Sequence, residues 1–163
     1  MTLSPDVFRD VMGRLAGGVT VVTARDGEGV PRGFTATAVC SVSLSPPLVL
    51  VCVANGSQTL SAIRDTGSYA LNFLSSDGAR HSDRFAVSGE GKFDSVDWVP
   101  APSGSPLLAG AVAWVECETQ RAVEAGDHTI FIGRVVDGRV ERAEVGPLVH
   151  YGSAYHVLER ADP

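Results

Sequence analysis

The stretch Gly126-Asp127-His128-Thr129-Ile130-Phe131-Ile132-Gly133-Arg134-Val135 opens as a turn and runs on as a strand without a polar face. An EAGD turn ends at Asp127, and the β-branched and aromatic run behind it has strand character. With a period of two, Ile130 and Ile132 share one side with His128, while Thr129, Phe131 and Val135 take the other. A strand covered on both sides suits a closed barrel or an interface between subunits. His128 stands where turn meets strand, and an Asp-His pair there is either turn chemistry or a working group. Asp127 is expected to bond nearby backbone, and Arg134 to face solvent or a partner subunit.

Upstream, Ala111 to Glu124 reads as a long strand that pairs with the 128–136 strand as a hairpin. Downstream, Asp137-Gly138 reads as a turn, 146–152 as a loop, and AYHVLE as a last strand. At the other end, Ser4-Pro5 starts an amphipathic helix through Val7, Phe8, Val11, Met12 and Leu15, which Gly17-Gly18 ends. GVTVVTA, a DGEG turn and PRGFTATAVCSVSL form a hairpin, and LVLVCVA is a further strand after Pro46-Pro47. A short helix over Ser57 to Asp65, with Leu60 and Ile63 on one face, precedes the strand SYALNFLS and a second short helix, SDGARHSDRFA. Residues 89–105 read as an ordered loop anchored by Phe93 and Trp98. Many short strands with few helices predict a mainly β domain with peripheral helices, a small barrel whose clefts are common ligand sites.

The chain of 163 residues is 44% hydrophobic and 20% charged, which fits a single domain over residues 1–163. Its 13 basic and 19 acidic residues leave a net charge of -6, against nucleic acid or an anionic membrane as main partner. No membrane span or signal peptide is visible, so a cytoplasmic location is expected. Cys40, Cys52 and Cys117 lie in apolar runs without CxxC spacing and are expected as reduced core thiols. Neither GxGxxG after a strand nor GxxxxGK[ST] occurs, and no GxSxG elbow supports triad hydrolysis. His150 and His156 lack a third ligand at metal spacing, so no metal is expected.

Two hydroxyl-rich stretches remain. In GFTATAVCSVS the period of two puts Thr35, Thr37, Val39 and Ser41 on one face, with Ala36, Ala38 and Cys40 opposite. Small residues let a flat ligand approach the backbone, although an ordinary hairpin explains the same threonines. The stretch Asn55-Gly56-Ser57-Gln58-Thr59 opens a helix after a buried strand. Its N–H groups and dipole suit a phosphate, and Ser57 as a plain N-cap is the alternative.

In order, GVTVVTA, GFTATAVCSVSLSPPLVLV, NGSQTLSAI, YALNFLS, KFDSV, SPLLAGAVAWVEC, GDHTIFIGRV and PLVHYGSAYHVL cover nearly the whole chain, from Phe8 to Leu158. Together they resemble the flavin reductase family that partners two-component flavin-dependent monooxygenases. The resemblance implies a homodimeric split β-barrel of the FMN-binding type. It implies transfer of hydride from NADH, or NADPH, to FAD or FMN, with the reduced flavin passing to a separate monooxygenase. It places flavin contacts on Thr35, Ala36, Thr37, Ala38, Val39 and Ser41, with backbone N–H groups near Ala38 and Val39 facing the charge of the reduced ring. Asn55, Ser57 and Thr59 fall by the phosphate, with Phe85 and Lys92 nearby. His128 becomes the nicotinamide contact, and Tyr151, Gly152, Ser153 and Tyr155 close the same cleft. Thr37 stands where relatives often have Asn or Ser, and the Asn55 to Thr59 stretch has no Lys or Arg, so FAD and FMN both stay open. Two other readings of the barrel are a flavin-binding sensor without turnover and an oxidase like the pyridoxamine-phosphate oxidases.

Overall fold

The computed structural model describes residues 3–158. Ser4 caps α1 (Pro5–Met12), accepting the Val7 N–H, and the proline at the first helical position needs no donor of its own. Gly13 caps the other end, so the helix stops short of Gly17-Gly18. Those glycines form β1 (Gly17–Gly18), a correction to their expected role as helix terminators. The apolar stripe of α1 faces outward: Val7, Phe8, Val11 and Met12 are exposed, and Leu15 beyond it is too.

Next come β2 (Thr20–Arg25), β3 (Pro31–Ala36), β4 (Val39–Leu44), β5 (Pro47–Ala54), α2 (Gln58–Thr66), β6 (Ser68–Leu74) and α3 (Ala79–Ala86). The rest is β7 (Trp98–Pro100), β8 (Pro106–Leu108), β9 (Ala111–Ala125), β10 (His128–Val140), β11 (Leu148–Tyr151) and β12 (Ala154–Val157). Seven strands form one antiparallel sheet in the order β3-β2-β6-β9-β10-β5-β4, while β1-β11-β12 and β7-β8 make smaller sheets. The fold is thus mainly β with helices at the periphery. Among the described residues no helix is long and apolar enough to cross a membrane.

Several boundaries differ from the sequence reading. The stretch 33–43 is not one strand: it breaks at Thr37-Ala38, and β3 and β4 lie at opposite edges of the large sheet. The shared face expected for Thr35, Thr37, Val39 and Ser41 is lost there, and β4 shifts register again between Ser41 and Ser43. The 89–105 segment holds β7, paired with β8. Asp137-Gly138 lies inside β10, where a bulge between Val135 and Asp137 absorbs the turn-forming dipeptide and the strand continues. The 146–152 segment contains β11, and β12 ends at Val157; Glu159 of the expected strand lies outside the described residues. Cys117 is buried and Cys52 half-buried, but Cys40 is exposed, since β4 is an edge strand.

Alternation along β10 sets the core. Thr129 and Phe131 are buried, whereas His128, Ile130 and Ile132 are half-buried on the outer face. Phe131 packs with Val51, Val53, Leu71, Leu60 and Ile63, so α2 covers this face of the sheet. Each such aliphatic side chain contributes about 1.5–3 kcal/mol when fully buried. Gly133 continues the buried side, and a Cβ there would strike the Tyr69 hydroxyl and lie 3.0 Å from Cys117 Cβ. Tyr69 is fully buried and its hydroxyl has no firm partner, the neighbouring thiol of Cys117 being a weak one. Burial pushes the Cys117 pKa up to about 12, so the thiol stays protonated.

Gly133→Ala should therefore cost about 1–3 kcal/mol in denaturant unfolding through overpacking. Adding Tyr69→Phe should return part of that loss, because it removes both the colliding atom and a buried hydroxyl of little worth. A double variant no more stable than Gly133→Ala alone would show that another contact sets the limit.

Candidate functional site

A groove of about 960 Å³ runs between β3, the start of α2 and the loop 87–94. Arg32, Gly33, Thr35, Ser57, Thr59 and Lys92 are among its lining residues. Its floor is Phe85, only 1% exposed and set edge-to-face on Phe93 at 4.9 Å. Gly33 is required above that ring, because a Cβ would sit 3.0 Å from both the ring edge and the Val22 carbonyl. Ser57 Oγ accepts the Thr59 N–H at 3.2 Å as the cap of α2. Thr59 itself is 2% exposed, so it forms wall beneath the groove more than a contact within it.

Cations enter this groove from segments distant in sequence. Lys92 Nζ donates to the carbonyls of Gly33 (3.1 Å) and Phe85 (3.4 Å), and burial lowers its pKa. Arg32, which the sequence reading passed over, donates from Nε to Asp26 (3.0 Å) and from Nη1 to Gln58 Oε1 (3.2 Å). Asp26 in turn accepts the N–H groups of Val30 and Glu28, and these bonds with Arg32 hold its carboxyl below the usual carboxylate range. A basic residue on the strand facing a helix N-terminus could have pointed to Arg32, but only with the β3–α2 packing known.

Asn55, expected by the phosphate, turns its side chain to the β9–β10 turn and is not among the groove's lining residues. Its Oδ1 accepts from Thr129 Oγ1 (2.8 Å), its Nδ2 donates to the Gly126 carbonyl (3.2 Å), and its N–H donates to the Asp127 carbonyl (2.9 Å). Asn55 thus latches the β9–β10 turn that carries His128. His128 pairs with Ala54 of β5, and Ala54 lines the groove, which puts the Asp127-His128 turn beside the groove's rim. Its Nδ1 lies 2.7 Å from Asp127 Oδ1. Asp127 therefore spends its carboxylate on the imidazole where backbone was expected, and the bond draws its pKa down.

The other expected flavin residues lie apart from the groove. Ala36 is buried in the core, and the Val39 N–H donates to the Thr37 carbonyl at 3.0 Å. Ala38 accepts from the Cys52 N–H, and Ser41 lies on the exposed edge strand. Thr37 packs against Gly17, whose strand partner is His150, and so belongs beside the C-terminal hairpin. In that hairpin the Gly152 N–H donates to the Gly13 carbonyl, Ser153 takes a left-handed turn, and Tyr151 stacks edge-on to His156. Tyr155 reaches back: its hydroxyl lies 2.8 Å from both Ser82 Oγ and Asp83 Oδ1. Thr35 Oγ1 donates to the Ser82 carbonyl at 2.6 Å, so Ser82 of α3 joins the groove wall to the hairpin.

Residues 12–159 match the flavin reductase like domain. The chain belongs to the flavin reductase family. It is 47% identical over 80% of its length to a probable flavin reductase of Rhizobium meliloti, of which it spans 42%. It is 36% identical over 96% of its length to HsaB, the reductase subunit of a flavin-dependent monooxygenase of Rhodococcus jostii, spanning 80% of that protein. Its fold superposes on the NADH:FAD oxidoreductase of Streptomyces globisporus in complex with NAD and FAD fragments with a TM-score of 0.87 at 37% identity. That match covers 100% of this chain and 98% of the other.

Asn55→Ala should cost about 1–3 kcal/mol, because it takes the acceptor from the buried Thr129 O–H, leaving that oxygen only the long bond from Arg64 (3.5 Å), and frees the turn. Amide hydrogen exchange at 126–128 should speed up with it, and unchanged protection there would mean that the turn holds itself.

Proposed function

We propose that this chain is an NAD(P)H-dependent flavin reductase that takes hydride from NADH, or NADPH, to FAD or FMN. It hands the reduced flavin to a separate monooxygenase. The observation that carries the reading is the groove at the start of α2, walled by two cations and bordered by the latched Asp127-His128 turn, in a chain of this family. The named activities of its relatives, an NADH:FAD oxidoreductase and a monooxygenase reductase subunit, support it.

Bound flavin supplies the hydride acceptor and the nicotinamide the donor, and the protein contributes binding, orientation and charge compensation. Ser57, the start of α2 and Lys92 hold the flavin phosphate, with Thr35 and Phe85 shaping the wall beside it. His128 binds the nicotinamide nucleotide. With Asp127 accepting from Nδ1–H, the imidazole is fixed in orientation and needs no proton transfer of its own. Holding two rings at near-attack distance supplies about 7–11 kcal/mol of the barrier as avoided entropy. Tyr155, through Ser82, steadies the wall on which Thr35 stands.

The split barrel and the homodimer are part of this proposal. Two residues, Thr37 and Ala38, join the opposite edges of the seven-stranded sheet, which supports closure of the sheet on itself. The half-buried Ile130 and Ile132 and the outward stripe of Val7, Phe8 and Val11 support a second copy as their cover. The exposed Cys40 thiol suits a reducing, cytoplasmic setting.

Protein mixed with NADH and excess FAD or FMN should bleach the nicotinamide absorbance band, and no loss with either flavin would refute the reductase reading. In the same assay His128→Ala should raise the KM for NADH about ten-fold, a loss of about 1.4 kcal/mol of binding, with a smaller fall in kcat. An unchanged KM would remove His128 from the nicotinamide site. Size-exclusion chromatography should give a dimer; a lone monomer peak would contradict the interface.

A further inference from the structure

The groove gathers two cations that the chain keeps sixty residues apart. Arg32 stands on β3 and touches Gln58 in the first turn of α2, while Lys92 arrives from the loop 87–94 and donates to the carbonyl of Gly33, the residue after Arg32. Both line the groove with Ser57 and Gln58. The Arg32 side chain is held from behind: Asp26 takes Nε–H, and Asp26 is itself fixed by the amides of its own turn. A guanidinium has five N–H donors, and two are engaged here, leaving its planar fork available to an anion. Lys92 keeps one N–H beyond its two carbonyls, and among the described residues no carboxylate pairs with it. Glu90 and Asp94 also line the groove on the loop, but both are exposed and neither forms an ion pair with Arg32 or Lys92.

We propose that Arg32 and Lys92 clamp the diphosphate of a flavin dinucleotide at the start of α2, and that this clamp makes the protein select FAD over FMN. The inference rests on the flavin reductase reading above. A diphosphate offers two adjacent anionic groups, one for a bidentate guanidinium and one for a point-charge ammonium. The single terminal phosphate of FMN satisfies only one of them. Size agrees: about 960 Å³ lies at the upper end of ligand sites, leaving room beyond a mononucleotide. Arg32 also supplies the positive charge that the Asn55 to Thr59 stretch lacks in its own sequence.

The test is a set of titrations of the oxidised protein with riboflavin, FMN and FAD, followed by flavin fluorescence. FAD should bind more tightly than FMN. Arg32→Gln should weaken FAD about ten- to a hundred-fold, FMN less, and riboflavin within about two-fold. Arg32→Lys, which keeps the charge but not the fork, should fall between. Equal affinities for FAD and FMN in the unaltered protein, or an FAD affinity indifferent to Arg32→Gln, would overturn the clamp and leave the reductase reading standing. Binding of none of the three flavins, with no NADH oxidation, would overturn the reductase reading and the clamp together. Should Arg32→Gln not fold, the unaltered protein still decides: its FAD affinity should fall with ionic strength while its riboflavin affinity holds. An FAD affinity as insensitive to salt as that of riboflavin would overturn the clamp.

Discussion

Thr37 and Ala38 carry the chain from one edge of the seven-stranded sheet to the other. Between Ala36 and Val39 the backbone spans at most about 11 Å, whereas the edges of a flat sheet of this many strands lie about 29 Å apart. The sheet is therefore curled at that end, where Ala36 of β3 comes near Val39 of β4. Once curled, it has an inside, and the alternation of β2, β5, β6 and β10 decides what fills it. Val22, Val51, Val53, Leu71 and Phe131 point inward, and α2 closes over them with Leu60 and Ile63. The start of α2, and with it the candidate phosphate site, is placed by that closure.

The same curvature explains why the groove is assembled from distant pieces. β3 packs its faces against α2 and α3, and as an edge strand it leaves one side open, where the loop 87–94 lies along the groove. Arg32 and Lys92 converge there although the chain as a whole carries a charge of -6. Net charge governs long-range encounter, and at hydrogen-bond range the local arrangement outweighs it. An acidic protein can thus present a cationic, helix-capped groove to an anionic nucleotide.

Element types were legible in the sequence wherever local chemistry and packing agreed. Ser57 caps α2 and buries Leu60 and Ile63 as the spacing says, and the β9–β10 hairpin follows from its turn and its β-branched run. The break at Thr37-Ala38 was not legible, because no glycine or proline marks it and its cause is the pairing of β3 and β4 at opposite edges of the sheet, a long-range demand. Asp137-Gly138 misled in the opposite sense: the dipeptide suits a turn, but pairing with Glu116 and Val115 keeps it in β10, just after a bulge. At the site, Ser57, Thr35 and Lys92 were within reach of the sequence, whereas Asn55 was assigned by its neighbours in the chain and not by the turn it latches. Arg32 lay beyond such a reading, since its partners Asp26 and Gln58 come together only in the folded chain.

The two halves of the candidate site are tied to the scaffold by different means, and that difference bears on how they work. The proposed flavin side rests on backbone and on buried rings: Gly33 lies against Phe85, Phe85 against Phe93, and Thr35 bonds the backbone of α3. Displacing it means repacking a core, which resists small shifts. The proposed nicotinamide side rests on a two-residue turn held by Asn55, through its side chain and its backbone N–H, with Asp127 almost fully exposed and the His128 ring 44% exposed. Such a turn opens locally at far less cost than the core. A substrate that must enter and leave at every turnover is well served by the looser half, and a ring that must be held still by the stiffer one.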